Sequence, residues 1–171
     1  FSQSPVKVND MNNNQVLSRS VQSVQKALDH KGIKTRVLEL PSSTRTAQDA
    51  ANTIGCTVDQ IVKSLIFKTK DEDEPILVLA SGPNRVNETM IETVLGKKII
   101  KADANFVKEM TGFAIGGIPP IGHKQPIRTF IDQDLLKFKD LWAAAGTPNA
   151  VFCLTNEDLT HLTNGTIIAI Y

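Results

Sequence analysis

The chain has 171 residues, of which 41% are apolar and 22% are charged, and its formal net charge is +1 at pH 7. This length is enough for one buried core, so we expect a single domain. No apolar run approaches the roughly 18 residues that a membrane span needs. The near-neutral charge argues against a protein that grips long stretches of nucleic-acid backbone, but not against one that binds a few terminal nucleotides. We expect a cytoplasmic protein without membrane contact.

The chain opens with a polar stretch that lacks the basic and apolar regions of a secretory signal. We expect residues 1–13 to be a flexible polar leader and residues 14–171 to form the domain. Cys56 and Cys153 are far apart and have no metal-binding or redox spacing, so we interpret them as buried thiols.

The first predicted element is a helix over about residues 14–31. Val21, Val24 and Leu28 recur at helical spacing, and Gly32 follows where a left-handed cap belongs. The segment "TRVLEL" then predicts a short strand, which ends before Pro41.

Two short helices are predicted next. In "STRTAQDAANTIG", either Thr44 or Thr46 can cap an alanine-rich helix that ends at Gly55. The following "TVDQ" has the pattern of a capping box and predicts a second helix start.

A β-hairpin is predicted from "KSLIFKTK" and "PILVLAS", with the acidic "DEDE" as its turn.

Two capped helices follow in "NETMIETVLG" and "DANFVKEMTG", each ended by glycine, and "KKIIKA" between them predicts a strand. The segments "PIRTFID", "AVFCLT" and "GTIIAIY" predict further strands, and "NEDLTHLT" predicts a helix capped by Asn156. Strands outnumber helices without strict alternation. The prediction is therefore an α+β fold: a mixed, largely antiparallel, barrel-like sheet with several short helices packed around it.

Common catalytic motifs are missing from the sequence. It contains no Walker sequence, no G-x-G-x-x-G and no G-x-S-x-G. His30, His123 and His161 are scattered and have no cysteine ligands nearby. We therefore expect neither a metal nor a cofactor.

Lys63 lies between "TVDQIV" and the apolar "SLIF". If its side chain points inward, desolvation would lower its pKa unless an anion pairs with it. The alternative is a lysine at a strand edge that keeps its charge in water and discourages edge pairing.

The stretch "AIGGIPPIGHKQP" combines adjacent glycines, a proline pair and a histidine. Glycines permit positive φ and close approach, so the N–H groups of Gly116, Gly117 and Ile118 could form a cradle for a substrate carbonyl. A tight turn between a strand and a proline-stiffened loop is the alternative interpretation.

These motifs occur together with "TAQDAANTIGCTVDQIVKSLIF", "ILVLASGPNRVN", "FAIGGIPPIGH" and "AAAGTPNAVFCLT", in that order. In this combination the chain resembles the YbaK/prolyl-tRNA editing-domain family of aminoacyl-tRNA deacylases from about Val16 to its end. The resemblance implies a free-standing trans-editing enzyme that hydrolyses the ester between a wrong amino acid and the 3′ end of a tRNA. It makes the tRNA acceptor end the expected partner and prolyl-tRNA synthetase a candidate protein partner.

The resemblance also assigns site residues. It implies catalytic roles for Lys63 and for the loop Gly116, Gly117 and Ile118, in which the protein positions the ester and a hydroxyl of the terminal adenosine helps to activate water. The residues that it suggests for substrate binding are Thr46, Ser64, Ser81, Gly82, His123, Asp132 and Gly146. His123 is equally compatible with a loop histidine held by its own backbone, and Asp132 with a structural hydrogen-bond acceptor.

Substrate choice is only weakly indicated. Ser64 follows the lysine where some relatives that act on Ala-tRNA carry asparagine, which slightly favours Cys-tRNA(Pro) over Ala-tRNA(Pro). A non-catalytic module that binds a nucleotide, a tRNA end or a small ligand in the same pocket is the alternative function. An esterase for small activated esters is a third possibility.

Overall fold

An eight-stranded mixed sheet and five α-helices make up most of the computed structural model, which describes residues 18–41 and 46–171. The helices are α1 Arg19–His30, α2 Ala47–Ile54, α3 Glu88–Leu95, α4 Ala104–Thr111 and α5 Asn156–Thr163. The strands are β1 Leu38–Glu39, β2 Ile61–Thr69, β3 Pro75–Ser81, β4 Ile99–Lys101, β5 Arg128–Asp132, β6 Asp140–Ala144, β7 Ala150–Thr155 and β8 Thr166–Ile168. Two 3₁₀ segments, Val58–Gln60 and Gln133–Lys137, precede β2 and β6.

The strands are ordered β1-β7-β6-β2-β3-β5-β8, and β4 pairs with β2. The β2–β3, β2–β4, β6–β7 and β1–β7 pairs are antiparallel, whereas β2–β6, β3–β5 and β5–β8 are parallel. The predicted hairpin is confirmed as β2 and β3, with Lys63 opposite Ala80. The α+β class with a mixed sheet is likewise confirmed.

Strand β3 lies between β2 and β5 in the sheet and is buried on both faces. Its residues alternate between two apolar clusters, with Leu77 and Leu79 in one and Ile76 and Val78 in the other. This is why the sequence "ILVLA" is an unbroken apolar run rather than an alternating one. The strand is thus a rigid support for its neighbour β2, which carries Lys63.

Local capping signals predicted most helix ends correctly. The hydroxyl of Thr46 accepts from the Asp49 N–H at 3.0 Å at the start of α2, and Asn87 and Asp103 cap α3 and α4. Gly55 ends α2 with a φ of 88°.

Several local predictions need correction. Helix α1 begins at Arg19, after its N-cap Ser18, and the part of the prediction before residue 18 lies outside the described residues, as do the leader 1–13 and Thr44. The "TVDQ" segment forms a 3₁₀ turn rather than an α-helix, because β2 begins immediately after it. The cap of α5 is Thr155, not Asn156, since the Thr155 hydroxyl accepts from the Asp158 N–H.

Strand β6 was not predicted. Its sequence "DLWAA" contains two alanines, which have low strand propensity, and it shows no clear polar alternation. The strand forms because it pairs with β7 on one side and with the start of β2 on the other, where Trp142 lies opposite Ile61. Tertiary pairing, which a local pattern does not reveal, therefore decides this element.

Candidate functional site

Lys63 is the third residue of β2, and its side chain is half-buried rather than extended into water. Its Nζ donates to the main-chain oxygen of Asn84 at 2.6 Å. Burial lowers the pKa of the Lys63 ammonium, the nearby Arg85 guanidinium lowers it further, and the Asp132 carboxylate opposes both. A desolvated ammonium of this kind is well placed to bind a polar group of a ligand.

The first of two hollows beside Lys63 has a volume of about 470 Å³. It brings together six of the residues singled out in the sequence: Thr46, Lys63, Ser64, Gly82, Gly116 and Ile118. Apart from Lys63, the described residues that line it are uncharged, and much of the remaining wall is small or apolar: Ala47, Ala50, Ile54, Val62, Trp142, Ala143 and Ala144. We call it the apolar hollow.

A second hollow of about 540 Å³ adjoins the first, and Lys63, Ser64, Leu65, Ile115 and Ile118 line both. Its wall also carries Arg85, Lys101 and Glu88. We call it the cationic hollow. Among residues 18–41 and 46–171, neither Arg85 nor Lys101 forms an ion pair. The Lys63 side chain therefore lies on the wall between an apolar space and a predominantly cationic one.

Ser64 is next to Lys63 on this common wall. Its Oγ atom is buried and has no hydrogen-bond partner in the described part of the chain. Buried hydroxyl groups are usually hydrogen-bonded, because an unpaired one costs free energy. Ser64 is thus an unpaired polar group in the wall that both hollows share.

The glycine-containing loop is held by its own backbone. The N–H of Lys124 donates to the carbonyl of Thr111 at 3.0 Å and closes the loop at its neck. Gly116 has a φ of 96°, in the left-handed region, and lines the apolar hollow. The loop therefore presents Gly116 and Ile118 to the hollow from a fixed base.

Gly117 has a different role from its neighbours. Its N–H donates to the Ala114 carbonyl at 3.1 Å, and its own carbonyl accepts from the Gly146 N–H at 2.9 Å. A Cβ at Gly117 would come within 2.8 Å of the Gly146 backbone. Gly117 and Gly146 thus pack backbone to backbone. Of the three residues in the predicted cradle, Gly116 and Ile118 line the hollow and Gly117 does not.

Three other residues suggested for substrate binding line neither hollow. The Ser81 hydroxyl donates to the Asp59 carbonyl at 2.7 Å. Asp132 is fully buried and accepts from the Ser81 N–H and the Asn84 amide. Nε2 of His123 lies 2.7 Å from the Pro119 carbonyl oxygen, and burial lowers the pKa of this imidazole. For Asp132 and His123 these contacts match the structural alternatives stated from the sequence.

Sequence reasoning missed several residues that line the hollows, among them Arg85, Lys101 and Trp142. No spacing signal connects them to Lys63, because strand pairing and a loop after β3 bring them together. The described residues contain no group of three His, Cys, Asp or Glu side chains that could hold a metal ion. None of the described helices is long and apolar enough to cross a membrane.

Comparison with known proteins gives this geometry a context. Residues 41–162 match the aminoacyl-tRNA editing domain. The chain belongs to this editing-domain family. Uncharacterized protein YwhH of Bacillus subtilis (strain 168) is 30% identical over 141 residues, which are 82% of this chain and 89% of that protein. The proline–tRNA ligase of Brachyspira hyodysenteriae is 36% identical over 121 residues, which are 70% of this chain but only 19% of the ligase.

Solved structures share the fold. One described as a proposed trans-editing enzyme for prolyl-tRNA synthetase is 43% identical, with a TM-score of 0.86 over 91% of this chain and 98% of that one. This likeness confirms the editing-domain resemblance that the sequence motifs indicated.

Proposed function

We propose that this protein is a trans-acting aminoacyl-tRNA deacylase, which hydrolyses the ester of tRNA charged with a wrong, small amino acid. The observation that carries the proposal is that Lys63, Gly116 and Ile118 line the same hollow. Membership of the editing-domain family and the likeness to a proposed trans-editing enzyme support it.

In this proposal the two hollows receive the two halves of the substrate. The aminoacyl side chain occupies the apolar hollow, and the terminal adenosine occupies the cationic hollow, where Arg85 and Lys101 complement its phosphate. The ester bond then lies at the common wall, beside Lys63 and Ser64. The buried Ser64 hydroxyl gains a partner when the ester or the ribose is bound.

The chemistry is the addition of water to the ester carbonyl. Its oxygen becomes a tetrahedral oxyanion, which the N–H groups of Gly116 and Ile118 stabilise, at about 3 kcal/mol for a well-aimed donor. The intermediate collapses with loss of the ribose oxygen, which takes up the proton that the attacking water gave up and leaves as a hydroxyl. The products are the free amino acid and uncharged tRNA. Lys63 anchors the substrate, and a neighbouring hydroxyl of the adenosine orients the water, so positioning supplies most of the rate.

Substrate selection depends on the size of the apolar hollow. The wall combines the small residues Ala47, Ala50, Ala143 and Ala144 with the larger Trp142 and Ile54. A hollow of this kind rejects larger side chains by steric exclusion, which is the logic of a second sieve. We propose Cys-tRNA(Pro) as the preferred substrate over Ala-tRNA(Pro), with prolyl-tRNA synthetase as the source of the mischarged tRNA.

Incubation of the purified protein with tRNA(Pro) charged with Cys, Ala, Ser or Pro tests the proposal. The expected result is hydrolysis of at least one small non-cognate ester, with Pro-tRNA spared and with inhibition by uncharged tRNA. Hydrolysis of small activated esters that uncharged tRNA does not inhibit would indicate a general esterase instead. Saturable binding of charged tRNA with every ester intact would overturn the proposal in favour of a binding module.

A further inference from the structure

A third hollow, of about 350 Å³, lies at the neck of the glycine-containing loop. Three basic residues line it: Arg19 at the start of α1, Lys108 in the last turn of α4 and Lys124 at the end of the loop. We call these three residues the neck cluster. No acidic side chain is among the described residues that line this hollow, although the whole chain has a net charge of only +1.

The charges of the neck cluster are not neutralised within residues 18–41 and 46–171, where none of the three forms an ion pair. The Lys108 side chain donates to the Gly112 carbonyl at 3.2 Å, as expected for a cation at the C-terminal end of a helix such as α4. The helix dipole does not explain the position of Arg19. Arg19 lies in the first turn of α1, where a cation is disfavoured by the helix dipole, and no acid accompanies it there.

The chemistry of the lining suits phosphate groups. Ser20, Ser23 and Thr111 also line this hollow, so hydroxyl groups stand among the cations. Lysine, arginine, serine and threonine side chains make most protein contacts to the phosphates of nucleic acids. The Thr111 hydroxyl is already engaged with the Val107 and Phe113 carbonyls, and the Ser23 hydroxyl donates to the Ser20 carbonyl at 2.8 Å. The available donors are therefore the cations and the Ser20 hydroxyl.

The neck cluster is close to the candidate site along the chain. Gly112, which lines the third hollow, is four residues before Gly116, which lines the apolar hollow. Four residues span at most about 14 Å. The backbone of a nucleic acid carries one phosphate per nucleotide. A tRNA whose 3′ end is in the hollows therefore carries further phosphates along its acceptor arm, outside the hollows, where a second basic site can bind them.

We propose that the neck cluster binds backbone phosphates of the tRNA acceptor stem while the aminoacylated 3′ end occupies the two hollows beside Lys63. The inference rests on the proposed function and extends it with a second contact outside the site of hydrolysis. Such a contact adds affinity for the whole tRNA but takes no part in the reaction at the ester.

The variant Lys108→Ala/Lys124→Ala tests this inference, with Lys31→Ala/Lys70→Ala as the control. The control removes the same charge from exposed lysines that line none of the three hollows. Each protein is assayed on full mischarged tRNA and on the same amino acid esterified to a CCA trinucleotide, and its melting temperature is recorded.

The expected result for the neck variant is a KM for tRNA raised at least about 10-fold, with kcat and trinucleotide hydrolysis unchanged. The fall of log(kcat/KM) with log[salt] should become shallower by about 1 to 2, because fewer counterions are released. Full tRNA but not inorganic phosphate or a mononucleotide should compete at micromolar concentrations.

Three results would overturn the inference: an unchanged KM and salt slope, an equal loss on the trinucleotide, or an equal effect of the control variant. If the parent hydrolyses neither substrate, the proposed function has failed, and filter binding of uncharged tRNA then tests the cluster by itself. Parent and neck variant with the same affinity in that assay would also refute the inference.

Discussion

The Lys63 ammonium is held by the main-chain carbonyl of Asn84, and the side chain of Asn84 is in turn fixed by two carboxylates. The Lys63 Nζ to Asn84 oxygen distance is 2.6 Å, and the Asn84 amide donates to Asp132 at 2.8 Å and to Asp134 at 2.9 Å. Asp132 is fully buried and also accepts from the Ser81 N–H at the end of β3. The position of the ammonium therefore depends on a buried hydrogen-bond network.

Asn84→Ala should lower both stability and activity. The Asp132 carboxylate would lose a donor, and we expect the free energy of unfolding to fall by about 1 to 3 kcal/mol, measured by urea denaturation. The deacylation rate should fall as well, because the carbonyl that orients Lys63 is no longer fixed.

Asn105→Ala, an exposed change on α4, is the control for Asn84→Ala and should leave both quantities unchanged. The role of Asn84 as a positioning residue is tested by a double-mutant cycle with Lys63→Met. If Asn84→Ala reduces the rate of Lys63→Met as much as that of the parent, Asn84 does not act through Lys63.

Gly117→Ala should disrupt the loop where its backbone packs against Gly146. The added Cβ would come within 2.8 Å of the Gly146 backbone and of Thr147 Cα, where no flexible side chain can give way. We expect a loss of about 1 to 3 kcal/mol of unfolding free energy, as for other overpacked sites, together with a lower deacylation rate as Gly116 and Ile118 shift.

Gly96→Ala separates this clash from a simple glycine effect. Gly96 has a φ of 79°, and a Cβ added there would meet no atom within 4 Å, so the substitution adds backbone strain without a clash. It should cost about 1 kcal/mol and leave activity intact. Equal activity of Gly117→Ala and Gly96→Ala would show that the loop position is unimportant.

The elements that local signals define were predictable from the sequence. Threonine, asparagine and aspartate caps and terminal glycines mark α2, α3 and α4, and the acidic turn marks the hairpin. Six residues of the apolar hollow were singled out from the sequence, but the rest of the walls was not predictable, since pairing of Ile61 with Trp142 unites residues that are 81 positions apart. Asp132 and His123 have the residue types of a site, but they line neither hollow beside Lys63 and are hydrogen-bonded within the fold.

His123 should give stability a specific dependence on pH. Burial lowers the pKa of its imidazole below the ordinary value of 6.5, although the hydrogen bond to Pro119 opposes the shift. Between the pKa of His123 in the folded chain and its higher pKa in the unfolded chain, the unfolded chain binds more protons. The contribution of His123 to the free energy of unfolding is therefore complete above about pH 6.5 and is lost as the pH falls.

The test is the unfolding free energy of the parent and of His123→Gln between pH 5 and 8. The parent should lose more stability on acidification than the variant, and the difference should develop below about pH 6.5. Since His123 lines neither hollow beside Lys63, the variant should retain deacylation within about twofold. Parallel pH profiles, or a loss of activity beyond tenfold with the fold intact, would contradict this assignment.

The central claim is that Lys63 positions an aminoacyl ester for hydrolysis, and the single-turnover deacylation rate of Lys63→Met measures it most directly. Methionine keeps the apolar stem and removes the ammonium, while Lys70→Met is the control at an exposed lysine that lines no hollow. With the best substrate, Lys63→Met should be at least about 100-fold slower than the parent, and Lys70→Met should be equal to it. A folded Lys63→Met protein that hydrolyses the ester at the parent's rate would contradict the account.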